Sequence, residues 1–298
     1  MTRPETRPCW RASLHGGHSA AYCDHARSSL RDLLDAAVAR DMCLFGITEH
    51  APRVEPGRLY DEECAMGWTI ETLAALFAAY AREVESLRET YADRLIVLKG
   101  FESEVVPVTR WETLMLQWKR EYGFDYVVGS VHYVAGHIID YKEEHFLRAV
   151  EAAGGMEQAA VRYFRAVAEM AERLRPEVVG HFDLIRKQFP DDETLYTPAT
   201  RRAALEALEA VRDAGCILDI NTGGYRKGLG RPYPAAFIVR AAADMGIPVC
   251  PGDDSHAVEE VGYGLEAARA YLLAHGIREV TLLWPGGSGL ERRKVPLA

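Results

Sequence analysis

Tyr126-Val127-Val128-Gly129-Ser130-Val131-His132 is a short apolar run of β type that stops on an imidazole. The pattern recurs in both directions from there. Leu14-His15-Gly16-Gly17-His18, Ile47-Thr48-Glu49-His50, Gly100-Phe101-Glu102, Val179-Gly180-His181 and Gly252-Asp253-Asp254-Ser255-His256 each close a strand-like run with a residue able to ligate a metal. Cys23-Asp24-His25 adds a cluster in the first loop. One histidine at a strand end is unremarkable, because a buried ring nitrogen readily finds a hydrogen-bond partner. A histidine or carboxylate at nearly every strand end implies convergence. Seven of the chain's ten histidines fall at these ends or in the first loop.

The rest of the chain supplies the frame for that convergence. Apolar runs at 44–48, 95–99, 126–131, 178–181, 216–220, 248–250 and 280–283, with a weaker one at 10–14, predict short buried parallel strands. Apolar residues at i, i+3 and i+4 predict helices over 29–40, 69–91, 111–121, 156–174, 198–214, 234–245 and 262–274. Thr197-Pro198 reads as an N-cap followed by proline at the first helical position. Gly215 and Gly246 sit where helices end. Strand and helix alternate seven or eight times with no biased linker, which favours one α/β barrel over a doubly wound sheet. The segments 51–67 and 133–155 follow ligand-bearing strand ends and are expected to be lids. His137, Asp140 and His145 lie in the second of these and read as lid or surface residues, not ligands.

Bulk properties narrow the function classes. The chain has 298 residues, and its 48% hydrophobic and 27% charged content is that of a globular protein with a full core. The expected organisation is one barrel over 8–298 behind a frayed polar leader, 1–7. A net charge of −9 argues against general nucleic-acid or anionic-membrane binding. A local cluster of metals and arginines still admits a small phosphorylated substrate. The six cysteines form no C-x-x-C pair and follow no secretory signal, so reduced thiols and a cytoplasmic location are expected. No apolar run reaches the length of a membrane span.

Imidazole and carboxylate suit Zn²⁺, Mn²⁺ and Fe²⁺. His15, His18, His25, His50, Glu102, His132, His181, Asp254 and His256 offer up to nine such ligands, enough for two or three divalent metals. In barrels the active site lies at the C-terminal strand ends, where these residues fall. Asp24, Glu49, Glu104, Asp183 and Asp253 are candidates to orient ligating rings through the second ring nitrogen. Each could equally be a solvated or capping carboxylate. For a phosphate, Arg186 and Lys187 follow the fifth strand, and Asn221, Arg226 and Lys227 follow the sixth. Arg226 is the preferred clamp, because its glycine-rich turn allows close approach and its planar fork matches phosphate oxygens. Arg53 is a weaker candidate, and a solvated surface charge is the ordinary fate of any of these cations. Cys23 and Cys250 read as small packing residues. Tyr133, Tyr141 and Tyr225 are available to an aromatic or imidazole-bearing substrate.

The ordered series Tyr22-Cys23-Asp24-His25-Ala26, Thr48-Glu49-His50, Gly100-Phe101-Glu102, Gly129-Ser130-Val131-His132, Gly180-His181-Phe182-Asp183-Leu184 and Asp254-Ser255-His256 resembles the polymerase-and-histidinol-phosphatase (PHP) family, within it the histidinol-phosphatase type. The resemblance implies a distorted (β/α)7 TIM-like barrel and a centre of zinc, manganese or iron. It implies that a metal-activated hydroxide hydrolyses a phosphomonoester, with Asp253, Asp254 or His256 protonating the departing alkoxide. L-Histidinol phosphate, an intermediate of histidine synthesis, is the leading substrate. Another phosphoester (phosphotyrosine or a nucleotide phosphate) is the runner-up, and a non-catalytic metal-binding module is the alternative outside enzymes. A monomer or small homo-oligomer is expected. One departure stands out. The family pattern is H-x-H, whereas this chain has His15-Gly16-Gly17-His18, which puts both rings on one face only if the backbone bulges.

Overall fold

A computed structural model describes residues 9–189, 191–287 and 289–298. The expected leader, 1–7, lies outside the described residues. Seven parallel strands form a single sheet in chain order: β1 (Ala12–Ser13), β2 (Leu44–Ile47), β3 (Ile96–Glu102), β4 (Tyr126–Gly129), β5 (Val178–Val179), β6 (Ile217–Asn221) and β7 (Val249–Gly252). Every residue of these strands is buried. That burial explains why they read as continuous apolar runs and not as alternating ones. The sheet curls until its ends meet. The Leu14 amide donates to the Pro251 carbonyl at 2.9 Å, and the His15 carbonyl accepts from the amides of Asp253 and Asp254. The result is a nearly closed seven-stranded barrel, as the alternation predicts.

Helices cover the outside, each for a legible reason. Leu30–Ala39 starts at Ser29, whose hydroxyl accepts from the Asp32 amide in a capping box. Pro198–Ala214 starts at Thr197 with proline first and ends on Gly215 at φ +72°. The long helix Met156–Leu174 buries Ala160, Phe164, Val167, Met170 and Ala171 on one stripe.

Two expectations need correction. The run at 280–283 is a strand, but it pairs antiparallel in a terminal hairpin, Glu279–Gly286 with Gly289–Pro296. It cannot join the barrel, because β7 already closes onto β1. The segment 133–155 is structured rather than a plain loop. It carries the hairpin Tyr133–Val134 with His137–Ile138 and then the helix Glu143–Ala153, which ends on Gly154 at φ +94°. Phe146, Ala149 and Ala153 bury one face of that helix, at a spacing short enough to escape notice beside the charged residues around it. No helix among the described residues is long and apolar enough to cross a membrane.

Candidate metal centre

All nine sequence-predicted ligands stand together at the C-terminal mouth of the barrel. Glu102, the last residue of β3, is the hub. Its two carboxylate oxygens face ring nitrogens of His15 at 3.3 Å, His50 at 2.8 Å, His132 at 3.5 Å and His181 at 3.0 Å. Asp254 stands opposite, with Oδ1 3.5 Å from His18 Nε2 and 4.0 Å from His15 Nε2. Farther out, the Nε2 atoms of His25 and His256 lie 3.1 Å apart. The donors fall into four overlapping groups whose atoms lie within 4.8 Å of one another. These are His15, His18 and Asp254; His15, Glu102 and His181; His18, His50 and Glu102; and Cys23, His25, His50 and His256.

The H-x-x-H departure is resolved by backbone geometry. His15 and His18 lie beyond the end of β1 at Ser13, where strand alternation no longer holds, and Gly17 turns the chain at φ +76°, a conformation that L side chains rarely take. A side chain at Gly16 would start 2.3 Å from an Asp253 carboxylate oxygen. Both His15 and His18 are fully buried and point to the same centre. Asp254 is itself held at φ +49°, a left-handed conformation that costs a non-glycine residue energy and persists only where neighbours impose it. The Arg226 fork imposes it, donating to the carbonyls of Asp253 and Asp254 at 2.7 Å each.

The residues present fit a divalent metal. His15 Nε2, His18 Nε2 and both Glu102 oxygens are buried without a hydrogen bond, despite their close approach to one another. Each such orphan costs about 1–3 kcal/mol. Four around one point would offset much of a domain's net stability of about 5–15 kcal/mol. The charge pattern agrees. Burial alone would push a carboxylate up, yet the surrounding histidines hold Glu102 well below its ordinary range. Burial works against a charge on His132 too, but Glu102 and Glu104 hold its proton up to about 10. Burial and the His18 charge push His50 down to about 4. The inner carboxylates thus favour a cation, and at the outer end burial and neighbouring rings push His50 and His256 toward the neutral form.

Carboxylates behind the rings fix their orientation. Glu104 meets His132 Nδ1 at 2.8 Å, Asp24 meets His25 Nδ1 at 3.1 Å and Glu49 meets His18 Nδ1 at 3.4 Å. The two other predicted orienters go elsewhere. Asp183 accepts from the Tyr196 hydroxyl and the Ala235 amide. Asp253 accepts from Ser13 Oγ and from the Gly262 amide at 2.7 Å. Its burial raises it to about 6, but it does not line the cavity. Sequence reasoning missed Asp219, which meets His15 Nδ1 at 2.9 Å. Its reach across β7 requires Gly252, where a Cβ would fall 2.1 Å from an Asp219 oxygen. The available signal was a carboxylate in the middle of the apolar run Ile217-Leu218-Asp219-Ile220-Asn221.

A cavity of about 510 Å³ opens over the centre, lined by His25, His50, Glu102, His132, His181, Asp254 and His256 together with cations and lid residues. Of the predicted phosphate groups, Lys187 and Arg226 line it. Arg186 does not. It is buried, donates to the Pro232 carbonyl at 2.9 Å and sits over the Tyr233 ring. Asn221 lies beneath, bonded to Asp219 at 2.9 Å and accepting from the Gly223 amide. Lys227 does line the cavity, with Nζ 3.5 Å from Asp254 Oδ2. Asp140, read as a lid or surface residue, lines it too, as does Tyr141, stacked on Tyr60 across the two lids. His137, His145, Tyr133 and Tyr225 stand outside its lining, and Arg53 braces Glu63 and Tyr60.

Comparison with known proteins agrees with this geometry. The family model described as the PHP domain matches residues 15–223. A Schizosaccharomyces pombe protein named "Probable histidinol-phosphatase" is 32% identical, with 91% of this chain and 89% of that protein covered. The histidinol-phosphatase of Bacillus subtilis is 27% identical over 83% of this chain and 94% of its own. The fold matches the crystal structure of histidinol phosphate phosphatase from Lactococcus lactis, complexed with Zn, L-histidinol and phosphate. The TM-score is 0.72 at 19% identity, over 95% of this chain and 99% of that one. With a family model spanning most of the chain and a relative similar over nearly its whole length, this chain belongs to the PHP domain family.

Proposed function

We propose that this protein is a metal-dependent histidinol-phosphatase, hydrolysing L-histidinol phosphate to L-histidinol and phosphate. The observation that carries the reading is the buried, unpaired donor set around Glu102, joined to a cavity sized for a small ligand whose lining includes Lys187, Arg226 and Lys227. The names of the related proteins give the substrate.

His15, His18, His25, His50, Glu102, His132, His181, Asp254 and His256 would hold the metal. The four donor groups share His15, His18, His50 and Glu102, which supports two or three ions, of zinc, manganese or iron(II). Bound ions would supply Lewis acidity toward phosphoryl oxygens and a water nucleophile of lowered pKa.

The chain's own residues supply the rest. Lys227 faces the cavity and keeps its proton, because burial's pull is outweighed by Asp254 and Tyr233, so it serves as a fixed positive charge for the phosphoryl oxygens. Lys187 and Arg27 extend that positive wall. Arg226 keeps Asp254 in its ligating conformation through two backbone carbonyls and also lines the cavity. Asp254 and His256 face the substrate space and Asp253 does not, so Asp253 acts by anchoring the Gly262 amide. Tyr60, Tyr141 and Asp140 also line the cavity and are available to the alcohol.

The test is a substrate panel on the purified full chain, comparing L-histidinol phosphate with phosphotyrosine and a nucleoside monophosphate. Phosphate release from L-histidinol phosphate at least tenfold more efficient than from the others supports the reading. Equal release from all three removes the substrate and leaves a general phosphoesterase.

A further inference from the structure

Cys23 reads from sequence as a packing residue, and its side chain is indeed buried. Its surroundings are not those of a packing thiol. Sγ stands 3.3 Å from Nδ1 and 3.5 Å from Nε2 of His25. The His25 ring in turn meets His256 Nε2 at 3.1 Å, and His50 completes a group whose four donor atoms all lie within 4.8 Å of one another. Ligands about 2.1–2.3 Å from a tetrahedral ion are spaced roughly 3.6 Å apart, so these separations suit a common ion.

The position of the sulfur is built into the chain. The amides of Tyr22 and Cys23 both donate to the Ser19 carbonyl, and the Ser19 amide donates to Glu49 Oε2. The Arg27 amide donates to the His256 carbonyl and closes the loop against the last strand end. One turn therefore positions the backbone of both Cys23 and His25 beside the cluster.

We propose that Cys23 is a sulfur ligand at the outer position of the metal centre, where its thiolate joins the three imidazole nitrogens of His25, His50 and His256. It would bind as the thiolate, its proton passing to solvent as the metal–sulfur bond forms. A soft donor at this position would favour zinc or iron(II) over manganese. The inference rests on the metal-centre reading above and extends it to a donor outside the expected nine.

The experiment is cobalt(II) substitution of the metal-free full chain, with bound cobalt quantified and the near-ultraviolet and visible absorption recorded. A cobalt–thiolate bond gives an intense charge-transfer band that nitrogen and oxygen ligands lack. The wild type and Cys64→Ser, which alters an exposed thiol, are expected to show the band. Cys23→Ser is expected to lose it while still binding cobalt. A band that survives in Cys23→Ser, its absence from the cobalt-loaded wild type, or failure to take up cobalt overturns the proposal. Should Cys23→Ser not fold, zinc-edge X-ray absorption of the wild type decides, with sulfur expected at about 2.3 Å. A shell of nitrogen and oxygen alone overturns it. Turnover of L-histidinol phosphate in the same samples separates the two readings. Turnover without the band removes the sulfur ligand and keeps the phosphatase, whereas the band without turnover does the reverse.

Discussion

The inner and outer ends of the metal centre use the same residue types but hold them differently. His15, Glu102 and His181 sit at strand ends, no more than 2% exposed, with Asp219 bracing His15 from a neighbouring strand. His25 rides on the first loop with its side chain 48% exposed, and His50 and His256 are partly open. The barrel's hydrogen-bond ladder fixes the inner donors, so their geometry is set by the fold itself. The outer donors depend on loop conformation and can adjust to the ligand. The inner end should therefore be intolerant of change, and the outer end should modulate.

The largest effect falls on the hub. Glu102→Ala is expected to lose bound metal and to lower phosphate release by at least about a thousandfold. Asp254→Ala and His132→Ala should likewise abolish turnover, with circular dichroism unchanged. Metal content by elemental analysis and single-substrate kinetics check all three, and near-normal activity in any of them breaks the assignment of the inner end.

Next comes Lys227→Met, which removes a cavity charge without replacing any candidate metal ligand. A loss of roughly 10²–10³-fold in kcat/KM with metal retained is expected. Arg186→Met, by contrast, should leave KM for the phosphoester unchanged if the protein folds, because Arg186 faces Pro232 and not the cavity.

Smaller again is Asp219→Asn. Weakening the brace behind His15 should cost about 10–100-fold in metal affinity or activity. His25→Ala, at the outer end, should cost less than Glu102→Ala when metal is in excess. Equal losses would erase the distinction between the two ends. Least of all, Tyr141→Phe removes the hydroxyl that bonds Glu62 across the lids and should change kcat/KM only a few-fold, read from substrate titrations.

These predictions follow the line between what local sequence could and could not reveal. Every candidate ligand but the loop residue His25 follows a strand-like run, and strand ends converge in any closed parallel barrel, so the clustering of these donors was readable once the alternation was recognised. The expected bulge at the His15–His18 pair is instead a turn past the strand end, which Gly17 permits. Asp219 was hidden because its role depends on a partner more than 200 residues away and on the empty side of Gly252. Arg226 ends a one-turn helix, Gly223–Arg226, and Lys227 caps it, so the two side chains leave the backbone in different directions. Composition could not say which of them meets the substrate and which holds the backbone. Asp140 was readable as a lid or surface residue, but its place in the cavity wall was not, because the lid that carries it packs against the other lid, as in the Tyr60–Tyr141 stack. The run at 280–283 was correctly read as a strand, but only the closure of the barrel excludes it from the sheet.

The most direct test of the central claim is phosphate release from L-histidinol phosphate by metal-free protein, before and after zinc or manganese is restored. Negligible release from the stripped protein, recovered on adding either metal, is the predicted result. Undiminished release from protein shown to contain no metal would contradict the account, because the buried donors around Glu102 would then have no catalytic part.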